Sequence, residues 1–343
     1  MCNTKLRSRK LSLPFKHPFT ISGGRTKTHQ PLFQLALSVG GLTGYGEAPE
    51  ISYYGISVEQ MEADLQKYLP EIENHHFSHP EKFEKLIQTC FPENSFLRCA
   101  LDMAAWDLYG KMQQKPVHSF WDIDYSSILL TDFTIGIASL PEMLARINEN
   151  PWPVYKIKLG FENDVQLLSQ LREKTNVPFR LDVNGGWTFA EAREKLQMLG
   201  GRGIEMVEQA LPKTAFTEAK ALMAYTQIPL FADESCVSEQ DVLRCSGHFH
   251  GINIKLTKCG GITPALRMIK QARKLGMQVM MGSMNESSIG SAAIAQFLPQ
   301  LDFVDMDGPL LLASDTAKGL IYDKGRVILS GMPGLGVELF EPF

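Results

Sequence analysis

The chain has no uninterrupted run of eighteen apolar residues, so nothing in it reads as a membrane-spanning helix. Its first residues lack the apolar core of a signal peptide. The six cysteines (Cys2, Cys90, Cys99, Cys236, Cys245 and Cys259) are scattered and form no CxxC pair. That argues against a zinc site and leads us to expect reduced thiols in the cytoplasm. Basic blocks longer than LRSRK are missing and the net charge over 343 residues is −4, so neither nucleic acid nor an anionic membrane is expected as a partner. No segment is of low complexity. The rest is ordinary for a folded globular chain, 44 % apolar and 21 % charged, and long enough for a barrel plus a smaller domain.

Two textures divide it. Residues 1 to about 55 read as strands: LFQLALSV is bounded by Gln-Pro and Gly-Gly, and TGYGEAPE closes a meander. Residues 57–113 are mostly helical. SVEQMEADLQKYL opens with a serine cap, and FLRCALDMAAWDLYGKMQ carries apolar residues at helical spacing before Lys115-Pro116. From about 125, short apolar runs alternate with helical segments. The candidate strands are TDFTIGI, VYKIKLG, FRLDVNG, IEMVEQ, PLFADES, GINIKL, QVMMGS and FVDMDG. Eight strands with seven helices between them predict an α/β fold, a (β/α)7β modified TIM barrel over 125–318. An α+β domain over 1–124 precedes it, and a Gly- and Pro-rich segment over 319–343 returns to that domain.

A ladder of single charges climbs the barrel half. Lys158, Asp182, Glu208, Asp233 and Lys255 each end or follow an apolar run, at steps of 24, 26, 25 and 22 residues. A βα unit needs about that length. A charge at the end of a buried strand is costly unless it is paired or holds a metal. These five therefore read as one site where the barrel strands end. Asp182, Glu208 and Asp233 are three hard oxygen donors with no His or Cys nearby, which favours one Mg²⁺, or Mn²⁺. The competing reading is a structural ion-pair network with the lysines.

Residues two apart on a strand share a face, so Lys156 accompanies Lys158, Asn184 accompanies Asp182, and Asp305 accompanies Asp307. Glu205 falls on the face opposite Glu208. A lysine on each side of a metal-held carboxylate is what a 1,1-proton transfer requires: one removes an α-proton and the other returns it from the opposite face. Lys156 would lower the pKa of Lys158, or pair with a ligand carboxylate. Glu234 is expected behind the ligands, near Lys255. The two acids of DMDG suit a substrate ammonium. Arg25, in the polar stretch FTISGGRTKT, is a candidate for a substrate carboxylate, and Ser283, ending QVMMGS, is a further candidate contact. Trp106 and Trp187 read as packing residues.

Together, YKIKLG, RLDVNGGW, VEQ, FADES, NIKLTKCGGI, GYGEAPE and ALDMAAWDLYGK resemble the enolase superfamily, muconate-lactonizing subgroup, over essentially the whole chain. The resemblance implies a domain capping the barrel, an essential Mg²⁺ on Asp182, Glu208 and Asp233, and Lys158 and Lys255 as the acid/base pair. DMDG resembles the DxD motif with which dipeptide epimerases hold the substrate α-ammonium, which assigns Asp305 and Asp307. Arg25 falls where Ala-Glu epimerases carry an arginine. The function implied is epimerisation of the C-terminal residue of an alanine-containing dipeptide, a small-molecule substrate. N-acylamino acid racemase, o-succinylbenzoate synthase and cycloisomerase are the alternatives within the subgroup, and their substrates lack a free ammonium. An inactive metal-binding scaffold is the non-enzyme alternative, against which Lys158 and Lys255 speak. Assembly into a homo-oligomer is left open.

Overall fold

Alternation along residues 25–39 gives a strand buried on both faces, and the sheet around it is the first element of the fold. The computed structural model describes residues 4–21, 25–121, 129–161 and 163–343, without the side chains of Ile21 and Arg25. Strands β1 (Lys5–Ile21), β2 (Arg25–Val39) and β3 (Leu42–Pro49) form an antiparallel sheet in that order. Phe33, Leu35 and Leu37 join the core shared with the helices α1 (Val58–Asn74), α2 (Pro80–Cys90) and α3 (Ser95–Met112). Leu32, on the other face, meets Leu13, Phe15 and Leu312. The expected serine cap is present: Ser57 accepts from the Gln60 N–H. Helix α3 lies against β3 because Gly44 and Gly46 have no side chain. A Cβ on either would fall within about 2 Å of a carbonyl of α3.

All eight expected barrel strands form, in one parallel sheet in sequence order. They are β4 (Phe133–Ile135), β5 (Tyr155–Lys158), β6 (Phe179–Asp182), β7 (Ile204–Glu208), β8 (Leu230–Ala232), β9 (Gly251–Ile254), β10 (Gln278–Gly282) and β11 (Phe303–Asp305). A parallel bridge between Thr131 and Val304 joins its two edges. Helices α4 (Leu140–Glu149), α5 (Asp164–Arg172), α6 (Phe189–Leu199), α7 (Phe216–Tyr225), α8 (Glu239–Cys245), α9 (Leu256–Cys259), α10 (Ile262–Lys274) and α11 (Ser288–Ala295) fill the seven crossovers, and a short α12 (Gly308–Leu311) follows β11. Capping boxes start α4, α6 and α8.

Inside the barrel, Met206, Phe231 and Met280 form an apolar plug with Phe303 against it. Gly251 and Gly282 leave room for Phe231 and Asn253, whose atoms a Cβ would meet at 2.3 and 2.7 Å. Arg180 pairs with Asp132 and Glu205, which puts Glu205 away from Glu208, at the start of its strand.

Buried carboxylates of the N-terminal part tie it to the barrel. Glu47 accepts from the N–H groups of Ser287 and Gly290 at the start of α11. Asp102 accepts from the Thr263 N–H and hydroxyl in the first turn of α10. Both satisfy donors that a helix N-terminus leaves unpaired. Trp106 is buried and donates to the Thr263 hydroxyl. The last segment carries the hairpin β12 (Leu320–Asp323) and β13 (Arg326–Leu329) and touches both parts: Arg326 bridges Leu130, and Phe343 stacks on Tyr45.

Candidate active site

Strand register sets the site. Lys158, Asp182 and Glu208, the last residues of β5, β6 and β7, are direct register partners. Asp233 follows β8 and Lys255 follows β9, so all five rungs of the charge ladder open at one end of the barrel. Lys158, Asp233 and Lys255 line a cavity of about 370 Å³ together with Lys156, Asn184, Glu234, Ser283, Asp305 and Asp307. Across the cavity stand Phe19 and Lys27 from the β1–β2 hairpin and the turn Ile51–Tyr54. The side chain of Arg25 lies outside the described residues.

Lys156 is the hub. Its ammonium is 2.7 Å from Asp305 Oδ2, 2.8 Å from Glu208 Oε2 and 3.1 Å from Asp182 Oδ2. Lys158 Nζ is 2.5 Å from Asp182 Oδ2. Lys255 Nζ is 3.0 Å from Asp233 Oδ2. Each of the three central carboxylates thus has a lysine on it. Burial raises the affinity of Asp182 and Asp233 for a proton, but the adjacent lysines outweigh it and hold both carboxyls below the usual range. Glu208 is different: burial, with Asp182 beside it, pushes it up to about 7. Burial alone would lower Lys255, yet Asp233 and Glu208 dominate and keep it protonated.

Two amides and a lysine complete the floor. Asn253 donates to Glu208 Oε1 at 2.7 Å. Gln209, at φ 40°, accepts through Oε1 from the N–H groups of Asp233 and Ser235. Lys258 is buried and donates to Asp233 Oδ1 at 2.5 Å and to the carbonyls of Asp233, Cys236 and Asn253. Sequence reasoning missed all three. Asn253 was within its reach, being two residues before Lys255 on the same strand face. Lys258 sits one helical turn past Lys255, and only its apolar surroundings signal burial. Gln209 carried no such signal.

Other expected contacts differ in detail. Glu234 is bonded by the Asn184 side chain at 3.1 Å, and it is Asp233 that pairs with Lys255. Burial, together with Asp233, pushes the Glu234 carboxyl up to about 7. Asp305 is held below the usual range because Lys156 overrides its burial, whereas Asp307 is pushed up to about 7 by burial and by Asp305. Trp187 is buried and donates to Asp164 Oδ2 at 2.6 Å, tying the loop after β6 to the start of α5.

Whether these residues suit a cation can be judged from their charges. Six carboxyl groups (Asp182, Glu208, Asp233, Glu234, Asp305 and Asp307) face four lysines (156, 158, 255 and 258), so the site has two more acids than bases and carries a negative excess once all six are ionised. Glu208 Oε2 is buried and receives no hydrogen bond; the nearby Lys156 ammonium compensates its charge without the geometry of a donor. Among the described residues, no three acid, histidine or cysteine side chains already converge as a closed cage, since lysines stand between them. The charge excess and the all-oxygen donor set fit a hard divalent ion.

A mouth of acids and lysines where the strands of a parallel barrel end, roofed by an α+β unit, stands where barrel enzymes carry their active sites. Residues 4–120 match the N-terminal domain of mandelate racemase / muconate lactonizing enzyme, residues 140–342 match the enolase C-terminal domain-like family, and the chain belongs to this family. It is 45 % identical, over 96 % of its length and 98 % of the relative, to an L-Ala-D/L-amino acid epimerase of Maribacter sp.. Among solved structures it resembles a dipeptide epimerase from Cytophaga hutchinsonii complexed with Mg and the dipeptide D-Ala-L-Val, with TM-score 0.94, 26 % identity and coverage of 100 % and 97 % of the two chains. It equally resembles a substrate-liganded L-Ala-D/L-Glu epimerase from Bacillus subtilis, with TM-score 0.93, 28 % identity and coverage of 98 % and 99 %.

Proposed function

We propose that this protein is a Mg²⁺-dependent dipeptide epimerase that inverts the α-carbon of the C-terminal residue of alanine-containing dipeptides. The observation that carries the reading is that Asp305 and Asp307 open into the same cavity as Lys158 and Lys255. A free α-ammonium is the group that two such acids suit, and two bases are what inversion needs. The relatives' names and the Mg-bound neighbour support the same reaction and ion.

Asp182, Glu208 and Asp233 would hold the ion. Bound there, it would supply electrostatic stabilisation for negative charge on a substrate carboxylate next to the reacting carbon. Its charge would also offset Asp233 and Glu208, which keep Lys255 protonated. Lys158 and Lys255 are the two bases: the neutral one accepts the α-proton at Nζ, and the ammonium of the other delivers a proton to the opposite face. Lys156 neutralises the floor and fixes Asp305. Asp305 and Asp307 bind and orient the ammonium, Ser283 is a further contact from the cavity lining, and Asn184 and Glu234 support the ligand strands. Arg25 would meet an acidic side chain. The division into residues 1–124, 125–318 and 319–343 and a cytoplasmic setting belong to the same proposal; the five described cysteines are free and buried.

The test is N-acetylation. A charge-assisted hydrogen bond is worth roughly 1.5–3 kcal/mol, so capping the substrate amine should lower kcat/KM by about two orders of magnitude or more. Equal rates on free and acetylated dipeptides would reject the reading in favour of an N-acylamino acid racemase.

A further inference from the structure

The active-site cavity ends, on the side of Asp307, at a wall formed by Phe19 and Thr134. The same two residues line a second cavity of about 200 Å³ behind that wall. Phe15, Phe133, Leu310 and Leu311 supply its apolar surface, and Arg146 and Glu149 stand at its polar edge. This volume is several times the roughly 30 Å³ that one water occupies in the liquid. It is enough for an aliphatic side chain.

The wall is built, not incidental. Phe19 stacks on Phe15 with ring centroids 5.6 Å apart and planes 16° from parallel. Thr20, next in the chain, accepts a hydrogen bond through its carbonyl from the Ile137 N–H at 3.2 Å, which pins the end of β1 to the barrel rim. Thr134 donates its N–H to Asp307 Oδ2 at 2.5 Å. The wall therefore abuts the carboxylate to which the proposed function assigns the substrate ammonium.

In a dipeptide the N-terminal side chain and the ammonium hang from the same carbon. With the ammonium on Asp307, which Thr134 bonds directly, that side chain would start on the side of the Thr134–Phe19 wall. We propose that Phe19 is the residue that sets specificity for the N-terminal amino acid. Its ring restricts the position to alanine-sized side chains, and the cavity behind it is an adjoining subsite that would take a branched aliphatic or aromatic side chain once the ring is removed. The inference rests on the epimerase reading and names the N-terminal half of its substrate.

The experiment compares kcat/KM for L-Ala-L-Xaa and L-Leu-L-Xaa dipeptides with one common C-terminal residue, in wild type and in Phe19→Ala. Exclusion of a few methylene groups is worth tenfold or more in discrimination. The wild type should favour the alanine dipeptide at least tenfold, and Phe19→Ala should bring the two within about threefold or invert them. Phe19→Ala combined with Leu310→Trp, which fills the rear cavity, should restore the preference for alanine. If Phe19→Ala does not fold, Phe19→Leu carries the same test with a smaller shift. An unchanged ratio in a folded variant overturns the proposal, as does a gain that survives Leu310→Trp. A wild type that leaves the α-hydrogen of every dipeptide untouched overturns the epimerase reading instead, so the two failures are distinguishable.

Discussion

Lys156 Nζ lies 2.7 Å from Asp305 Oδ2, linking the second barrel strand to the eighth across the mouth. The pair divides the labour of the two terminal aspartates. Asp305 is neutralised from within and stays ionised, while Asp307, bonded by the Thr134 N–H, is left to titrate near neutrality at about 7.

That asymmetry predicts a pH dependence of substrate binding. A carboxyl with a raised pKa is protonated below it, and a protonated Asp307 offers an ammonium no charge. KM for free dipeptides should therefore rise as pH falls from 8 to 6, with a smaller change in kcat. In Asp307→Asn, KM should be about tenfold or more higher at pH 8 and nearly flat across the window. A wild-type profile without slope would remove Asp307 from ammonium binding.

The lysines give a second prediction. Lys158→Ala and Lys255→Ala should each reduce epimerisation by at least about 10³-fold, the upper part of the range for general acid–base catalysis. Each should retain exchange of the α-hydrogen with solvent deuterium for one stereoisomer only, the opposite one in each variant. Proton NMR of the two diastereomeric dipeptides reads this directly, and exchange of both isomers by a single variant would break the two-base assignment.

Stability should depend on pH through groups away from the proposed metal ligands. Burial, opposed by the bonds from Thr263, pushes Asp102 up from 3.8 to about 7, and burial, reinforced by Glu47, pushes Glu286 from 4.5 to about 8. Between about pH 4 and 8 the unfolded chain has released these protons and the folded chain keeps them. Stability therefore falls as pH rises through that window, by up to about 1.4 kcal/mol for each pKa unit of displacement. Urea midpoints at pH 5 and pH 8 measure it. Asp102→Asn, which resembles the protonated acid in shape and bonding, should flatten the slope.

Much of this was legible in the chain, for identifiable reasons. Buried parallel strands show as short apolar runs, and a charge ending each run has few structural excuses, so the ladder from Lys158 to Lys255 is legible in the sequence alone. Parity along FVDMDG put Asp305 and Asp307 together, and both line the cavity. Residues whose role depends on contacts between distant elements were not legible. Lys258 acts through Asp233, Gln209 through an unusual backbone angle, and Glu47 and Asp102 through helix ends contributed by the other half of the chain. Glu234 lines the same cavity as Lys255, as expected, but its hydrogen-bond partner Asn184 comes from the end of another strand, which sequence order does not reveal.

The central claim is a metal-assisted proton transfer at the α-carbon of a dipeptide. Its most direct test is incubation of an L-Ala-L-Xaa dipeptide in D₂O with protein stripped by a chelator and with the same protein after addition of Mg²⁺. The account predicts one deuterium at the C-terminal α-carbon together with the L,D diastereomer, only when Mg²⁺ is present. Epimerisation that persists unchanged after chelation, or no deuterium at that carbon with Mg²⁺ restored, would contradict it.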